Sequence, residues 1–233
     1  MQKRKVVPSF LTSMNLLCGF IAILINDPII SFYLVLIGIA FDFVDGFSAR
    51  ALKVPSLFGK ELDSLADMVS FGVVPGFLYY HHVLKNDTDE GFFFIIKLLV
   101  ATLIPILAGL RLAKFNVKDS NKIGFAGLPS SGAALLVISI PFLVEIKHPF
   151  FIQLINNDFI VVSLPVVMAL LMVTNIPMFN FKNFAGGIKG NIIQFIYVIT
   201  LIPMILFLKW GALPISIFWY IILSVITIPI WRK

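Results

Sequence analysis

A chain of 233 residues that is 59% hydrophobic and only 13% charged, with a mean hydropathy of +1.00, is too apolar for a water-soluble domain. It reads as one integral membrane domain spanning 1–233. The formal charge of +6 does not mark a nucleic-acid binder, because the basic residues are scattered through short loops, where topology and anionic headgroups account for them. The single Cys18 excludes an internal disulfide and, within an apolar run, reads as a packing residue.

The basic start MQKRKVVP leads into an apolar segment with no small-x-small cleavage site. It predicts an uncleaved first membrane helix ending at the turn Asn26-Asp27-Pro28. Eight apolar stretches approach the ~20 residues needed to span a bilayer. They cover 10–25, 29–49, 57–80, 92–112, 130–146, 159–176, 192–209 and 212–230. The expected fold is therefore an all-α polytopic membrane helix bundle. With the N-terminus inside, Lys3, Arg4, Lys5, Arg50, Lys53, Lys60, Arg111, Lys114, Lys118, Lys122, Lys182, Lys189, Arg232 and Lys233 fall on the cytoplasmic side. Only Lys85, Lys97, Lys147 and Lys209 are left outside. Both termini are predicted cytoplasmic.

At the cytoplasmic ends of the second and third helices lies DFVDGFSARALKVPSLFGKELDSLAD, residues 42–67. Carboxylates in a chain built for lipid are costly unless they bind something. Asp42 and Asp45 stand three apart and Asp63 and Asp67 four apart, so each pair projects from one helix face. If the helices are neighbours, four like charges converge and call for divalent cations. All-oxygen ligation points to Mg²⁺, Mn²⁺ or Ca²⁺. Gly46 and Ala49 leave room for a phosphate beside the backbone, and Arg50 adds a cationic fork. Pro55 disfavours helix at Val54 and separates the two pairs. Ser56 either caps the third helix or contacts phosphate; Lys60 is a flanking cation within reach of phosphate.

The spacing Asp42, Asp45-Gly46, Ala49-Arg50, Gly59, Asp63, Asp67 resembles the signature of the CDP-alcohol phosphotransferases, with every position filled. The resemblance implies a dinuclear metal site of two divalent cations on Asp42, Asp45, Asp63 and Asp67, with Asp67 also the base that activates the acceptor alcohol. It also implies a homodimer. Further on, LDSLAD, FGVVPG, RLAKFN and FAGLP resemble the CDP-diacylglycerol–serine O-phosphatidyltransferases within that superfamily, over roughly the first 135 residues. That likeness implies CDP-diacylglycerol and L-serine as substrates and makes Arg111 and Asn116 acceptor-site candidates. Asn15, in TSMNLLCGF, matches a polar position of the first helix, where it either contacts the nucleotide or bridges helices.

The second polar cluster, about 111–132, lies on the same predicted side as the acids. Arg111, Lys114 and Asn116 suit a carboxylate or phosphate, and GFAGLPSSG suits a turn folding over a small acceptor. As positive-inside anchors Arg111 and Lys114 need no ligand. His81, His82, Asp87, Asp89 and Glu90 read as a solvated external loop. From Phe150 onward the chain has few polar handles, and the last three helices are expected to complete the bundle or a dimer interface.

The expected product is phosphatidylserine, with CMP released, made by an integral protein of a bacterial or archaeal inner membrane. Membrane lipids are further partners, and a cavity open sideways to the cytoplasmic leaflet is required. The rival acceptors are glycerol 3-phosphate and inositol phosphate, which want several converging cations. A cation transporter is the rival from another class. It gives the glycine and arginine spacing no role.

Overall fold

The computed structural model describes residues 2–85, 91–117, 125–179 and 191–227. Lys118, Lys122, Lys182, Lys189, Arg232, Lys233, Asp87, Asp89 and Glu90, to which the sequence assigned sides of the membrane or a loop, lie outside those residues. The architecture is all-α apart from one small ladder.

Helices α1 (Gln2–Ile25) and α2 (Pro28–Ala51) form an antiparallel pair. Asn26 turns the chain in the left-handed region (φ 49°). The Asp27 carboxylate then caps α2, accepting from the Ile29 and Ile30 N–H groups at 3.0 and 2.8 Å. Pro28 opens the helix where no backbone donor is needed. The Ser31 hydroxyl donates to the Ala22 carbonyl at 2.9 Å and ties the two helices together.

After α2, Lys53 adopts φ 55°, and Ser56 caps α3 (Leu57–Met68), its hydroxyl accepting from the Gly59 N–H at 3.0 Å. The helical path continues through a π-helical turn (Val69–Val73), α4 (Val74–Tyr79) and a second π-helical turn (Tyr80–Leu84). The segment thus outruns its expected end at residue 80. His82 is not a solvated loop residue: its Nε2 lies 3.0 Å from Asn26 Oδ1 and pins this end to the α1–α2 turn. Gly72 and Gly76 give α5 (Phe92–Val117) a smooth face to pack on. A Cβ on Gly76 would stand 2.7 Å from the Ala101 carbonyl oxygen.

The central pillar is α6 (Ser130–Glu145), whose Ala134, Leu136, Val137, Ile138 and Leu143 are wholly buried. It bends by 107° into α7 (Pro149–Ile155). Next come α8 (Asp158–Val173), α9 (Ile192–Leu208) and α10 (Ala212–Ile226). α9 and α10 lie side by side, the Trp219 indole N–H donating to the Thr200 hydroxyl at 2.8 Å. Strand β1 (Phe125–Ala126) pairs antiparallel with β2 (Pro177–Met178).

Four stretches among the described residues are long and apolar enough to cross a membrane: Val6–Ile25, Pro28–Ala51, Phe92–Val117 and Ile192–Ile226. Counting the bent α6–α7 pair as one span makes five such stretches where eight were expected, the last of them taking in both α9 and α10. The difference is physical. α6 and α8 have 16 residues each and α10 has 15, about 24 Å at 1.5 Å per residue, less than a ~30 Å hydrocarbon core. The α3 segment carries Lys60, Glu61, Asp63 and Asp67.

The bundle has two unlike ends. One gathers the C-terminal ends of α2 and α5, the start of α3 and the N-terminus of α6. The other holds the aromatic cluster of Phe32 stacked on Phe142 (ring centroids 4.1 Å) beside Tyr33 and Trp210. Half-exposed Tyr33 and Trp210 are suited to a membrane–water boundary.

Candidate active site

The acids of α2 and α3 converge where the Pro55 break folds the two helices together. Asp42, Asp63 and Asp67 each bring a carboxylate oxygen within 4.8 Å of the others. Three like charges this close in an apolar bundle are mutually repulsive, and an all-oxygen donor set fits a hard divalent cation.

Asp45 stands apart from this trio. It is buried, and its carboxylate accepts a hydrogen bond from the Thr12 hydroxyl of α1. Asp67 is also held from α1: the Asn15 amide donates to its Oδ1 at 3.2 Å. Asn15 is itself fully buried, the Ser70 hydroxyl donating to its carbonyl at 3.0 Å. A Cβ on Gly38 would come within 2.9 Å of its side-chain oxygen. Asn15 thus bridges α1 to an acid of the signature on α3.

Two cavities meet at Asp63 and Lys60. The larger, about 400 Å³, is lined by Asp42, Asp63 and Asp67 and by Arg111, Asn116 and Ser130. The smaller, about 220 Å³, is lined by Thr12, Asp45, Gly46, Ala49, Arg50, Ser56 and Gly59. A Cβ on Gly46 would lie 3.5 Å from the Arg50 guanidinium, in ordinary contact with that fork. Ser56 both caps α3 and lines this second cavity.

The acceptor candidates separate. Arg111, buried on α5, faces the larger cavity with one guanidinium N–H donating to the Ser130 hydroxyl at 3.3 Å. Asn116 reaches its edge, but its amide donates to the Ser64 hydroxyl at 2.8 Å and braces α5 on α3. The Lys60 ammonium donates to the Asn116 carbonyl at 2.9 Å, adding to the brace. Lys114 is not among the lining residues; its ammonium donates to Asn175 Oδ1 at 2.8 Å.

The GLPSSG turn reaches the cavity because Gly127 (φ 80°) docks it on the end of α8 and the segment after it, its N–H donating to the Ile176 carbonyl at 2.9 Å and the Leu128 N–H to the Leu171 carbonyl of α8 at 3.0 Å. Leu128 and residues 129–132 then line the wall. Phe179, Tyr197, Ile217 and Tyr220 complete it. These C-terminal residues and Thr12 were not singled out from sequence. Thr12 had a detectable signal, since with Asn15 it forms a polar pair three residues apart on one face of an apolar helix. The C-terminal residues had none beyond aromaticity.

Residues 5–176 match the family model described as CDP-alcohol phosphatidyltransferase. The chain is 35% identical over 182 residues to a CDP-diacylglycerol--serine O-phosphatidyltransferase of Methanocaldococcus jannaschii, covering 77% of this chain and 78% of that one. It is 31% identical over 224 residues to the Helicobacter pylori protein of the same name, covering 94% and 89%. An archaetidylserine synthase of Methanothermobacter thermautotrophicus is 35% identical over 138 residues, covering 57% and 56%.

Proposed function

The chain belongs to the CDP-alcohol phosphatidyltransferase family, and on that premise we propose that it transfers the phosphatidyl group of CDP-diacylglycerol to the hydroxyl of L-serine, releasing CMP. The observation that carries this reading is one cavity lined both by three converging carboxylates and by the Arg111 guanidinium. That cavity shares Lys60 and Asp63 as lining residues with a second, small-residue cavity beside Arg50.

Asp42, Asp63 and Asp67 would hold one divalent cation, and Asp45, bordering the neighbouring cavity with Asp63, would contribute to a second. Bound there, such cations would supply positive charge to a diphosphate and to the departing CMP. Gly46 and Ala49 admit the diphosphate beside α2, and Arg50 meets its oxygens. The Arg111 fork pairs with the serine carboxylate. Asp67 accepts the hydroxyl proton as the serine oxygen bonds to phosphorus and the bond to CMP breaks. Asn15 holds Asp67 in place for that transfer. Phe43 and Phe115, both exposed, line the rim where the lipid's tails remain in the bilayer.

The acidic end is assigned to the cytoplasmic face, with both termini on that side, because the basic loops sort that way. Purified protein given CDP-diacylglycerol, labelled L-serine and Mn²⁺ or Mg²⁺ is expected to form labelled phospholipid and CMP, and excess EDTA to stop both. Label entering lipid only with glycerol 3-phosphate or inositol phosphate would reassign the acceptor. Asp67→Asn is expected to abolish turnover while thermal unfolding stays near wild type; near-normal turnover would remove the base role.

A further inference from the structure

The wall of the larger cavity contributed by Phe179, Tyr197 and Tyr220 comes from the chain beyond residue 176, where the family match ends. The three rings form a cluster, with centroids 4.5 Å apart for Phe179 and Tyr220, 5.7 Å for Phe179 and Tyr197, and 6.0 Å for the two tyrosines. Both hydroxyls are engaged on backbone carbonyls: Tyr220 donates to Phe179 at 2.6 Å and Tyr197 to Ser216 at 3.3 Å. What Tyr197 and Tyr220 bring to the cavity wall is therefore ring, not hydroxyl, and Phe179, 1% exposed, backs them.

An amino-acid acceptor brings three groups into this cavity. Its hydroxyl belongs at Asp67 and its carboxylate at Arg111, which leaves the ammonium. On the same reading Asp42, Asp45, Asp63 and Asp67 would be taken up by cations, whereas aromatic faces attract an ammonium electrostatically, most strongly where water is excluded. Resting on the serine-transfer reading, we infer that Tyr197 and Tyr220, with Phe179 packed against them, form the ammonium-binding wall of the acceptor cavity. This wall selects an amino-acid acceptor over one that lacks the cation.

The test compares L-serine with 3-hydroxypropionate, which keeps the hydroxyl and carboxylate and lacks the ammonium. The full-length protein in nanodiscs with CDP-diacylglycerol and Mn²⁺ is assayed for CMP release, giving KM for serine and the inhibition constant for 3-hydroxypropionate. Wild type is expected to favour serine by about tenfold or more. Tyr220→Leu and Phe179→Leu are expected to collapse that ratio, while the ring-retaining Tyr220→Phe preserves it despite losing its hydrogen bond. Tyr197→Leu, on the other helix of the pair, is read the same way should a Tyr220 variant fail to fold. Equal weakening of both ligands in the leucine variants, or a ratio near one in wild type, overturns this inference alone. Wild-type protein with no serine-dependent CMP release overturns the transfer reading and the inference with it.

Discussion

Asp45 and Asp67 are both buried acids of one signature, yet α1 holds them by different means, a hydroxyl on one and an amide on the other. A hydrogen bond to a charged group contributes roughly 1.5–3 kcal/mol, and a buried group stripped of its partner costs about as much. Asn15→Leu is therefore expected to lower turnover at least about tenfold by releasing Asp67. Gly38→Ala should do the same in milder form, since its Cβ would push the amide oxygen from 2.9 Å. Steady-state kcat with serine and CDP-diacylglycerol checks both; unchanged kcat in Asn15→Leu would show that Asp67 needs no such support. The acids themselves were legible in the sequence because carboxylates in an apolar run have no cheap structural explanation. Their supports were not, because Thr12 and Asn15 meet them across 33 and 52 residues of chain. Only the packing of α1 on α2 and α3 reveals the pairing.

Among the elements, hydropathy located nearly every helix but could not separate a span from a short apolar helix. α6 and α8 are as apolar as a span and too short to be one unaided, and the bend between α6 and α7 follows a left-handed Lys147 (φ 58°) with Pro149 two residues on. The two π-helical turns around α4 left no mark in the pattern either, although the first begins two residues after Asp67, a placement common at functional sites. The GLPSSG turn was readable as a turn, whereas its docking was not. Gly127 combines φ 80° with the carbonyl oxygens of Met172, Thr174 and Leu171, which a Cβ would meet at 2.5, 2.9 and 3.1 Å. An L-residue in the left-handed region costs about 1–2 kcal/mol before any clash. Gly127→Ala is thus expected to lift the turn off α8 and raise KM for serine several-fold, with KM for CDP-diacylglycerol much less affected. A parallel rise in both constants would mean that the turn serves the whole site, not the acceptor side. By contrast, Gly46→Ala places its Cβ in ordinary contact with Arg50. It should fold normally and raise KM for CDP-diacylglycerol.

At the scale of the whole molecule, the chemistry needs its acids at one membrane face, where soluble serine and the nucleotide are available and the lipid's tails stay in the bilayer. Lys53 lies exposed in the α2–α3 connection at the acidic end, and Lys147 lies exposed after α6, the helix that starts at the cavity with Ser130. The sixteen residues of α6 carry the chain about 24 Å from the cavity towards Lys147. With Cys18 replaced by Ser, a cysteine introduced at Lys53 is expected to react with a membrane-impermeant maleimide only from the cytoplasmic side, and one at Lys147 only from the other. Labelling in intact cells compared with inverted vesicles measures this directly. The positive-inside distribution supplies the sign, since Arg50, Lys53, Lys60, Arg111 and Lys114 share the acidic end. The reverse labelling pattern would put the carboxylates on the face away from cytoplasmic serine, and the proposed reaction would then lack its acceptor. Labelling of both positions from one side would mean that α6 does not carry the chain across, and that the bent α6–α7 pair re-enters the face it left.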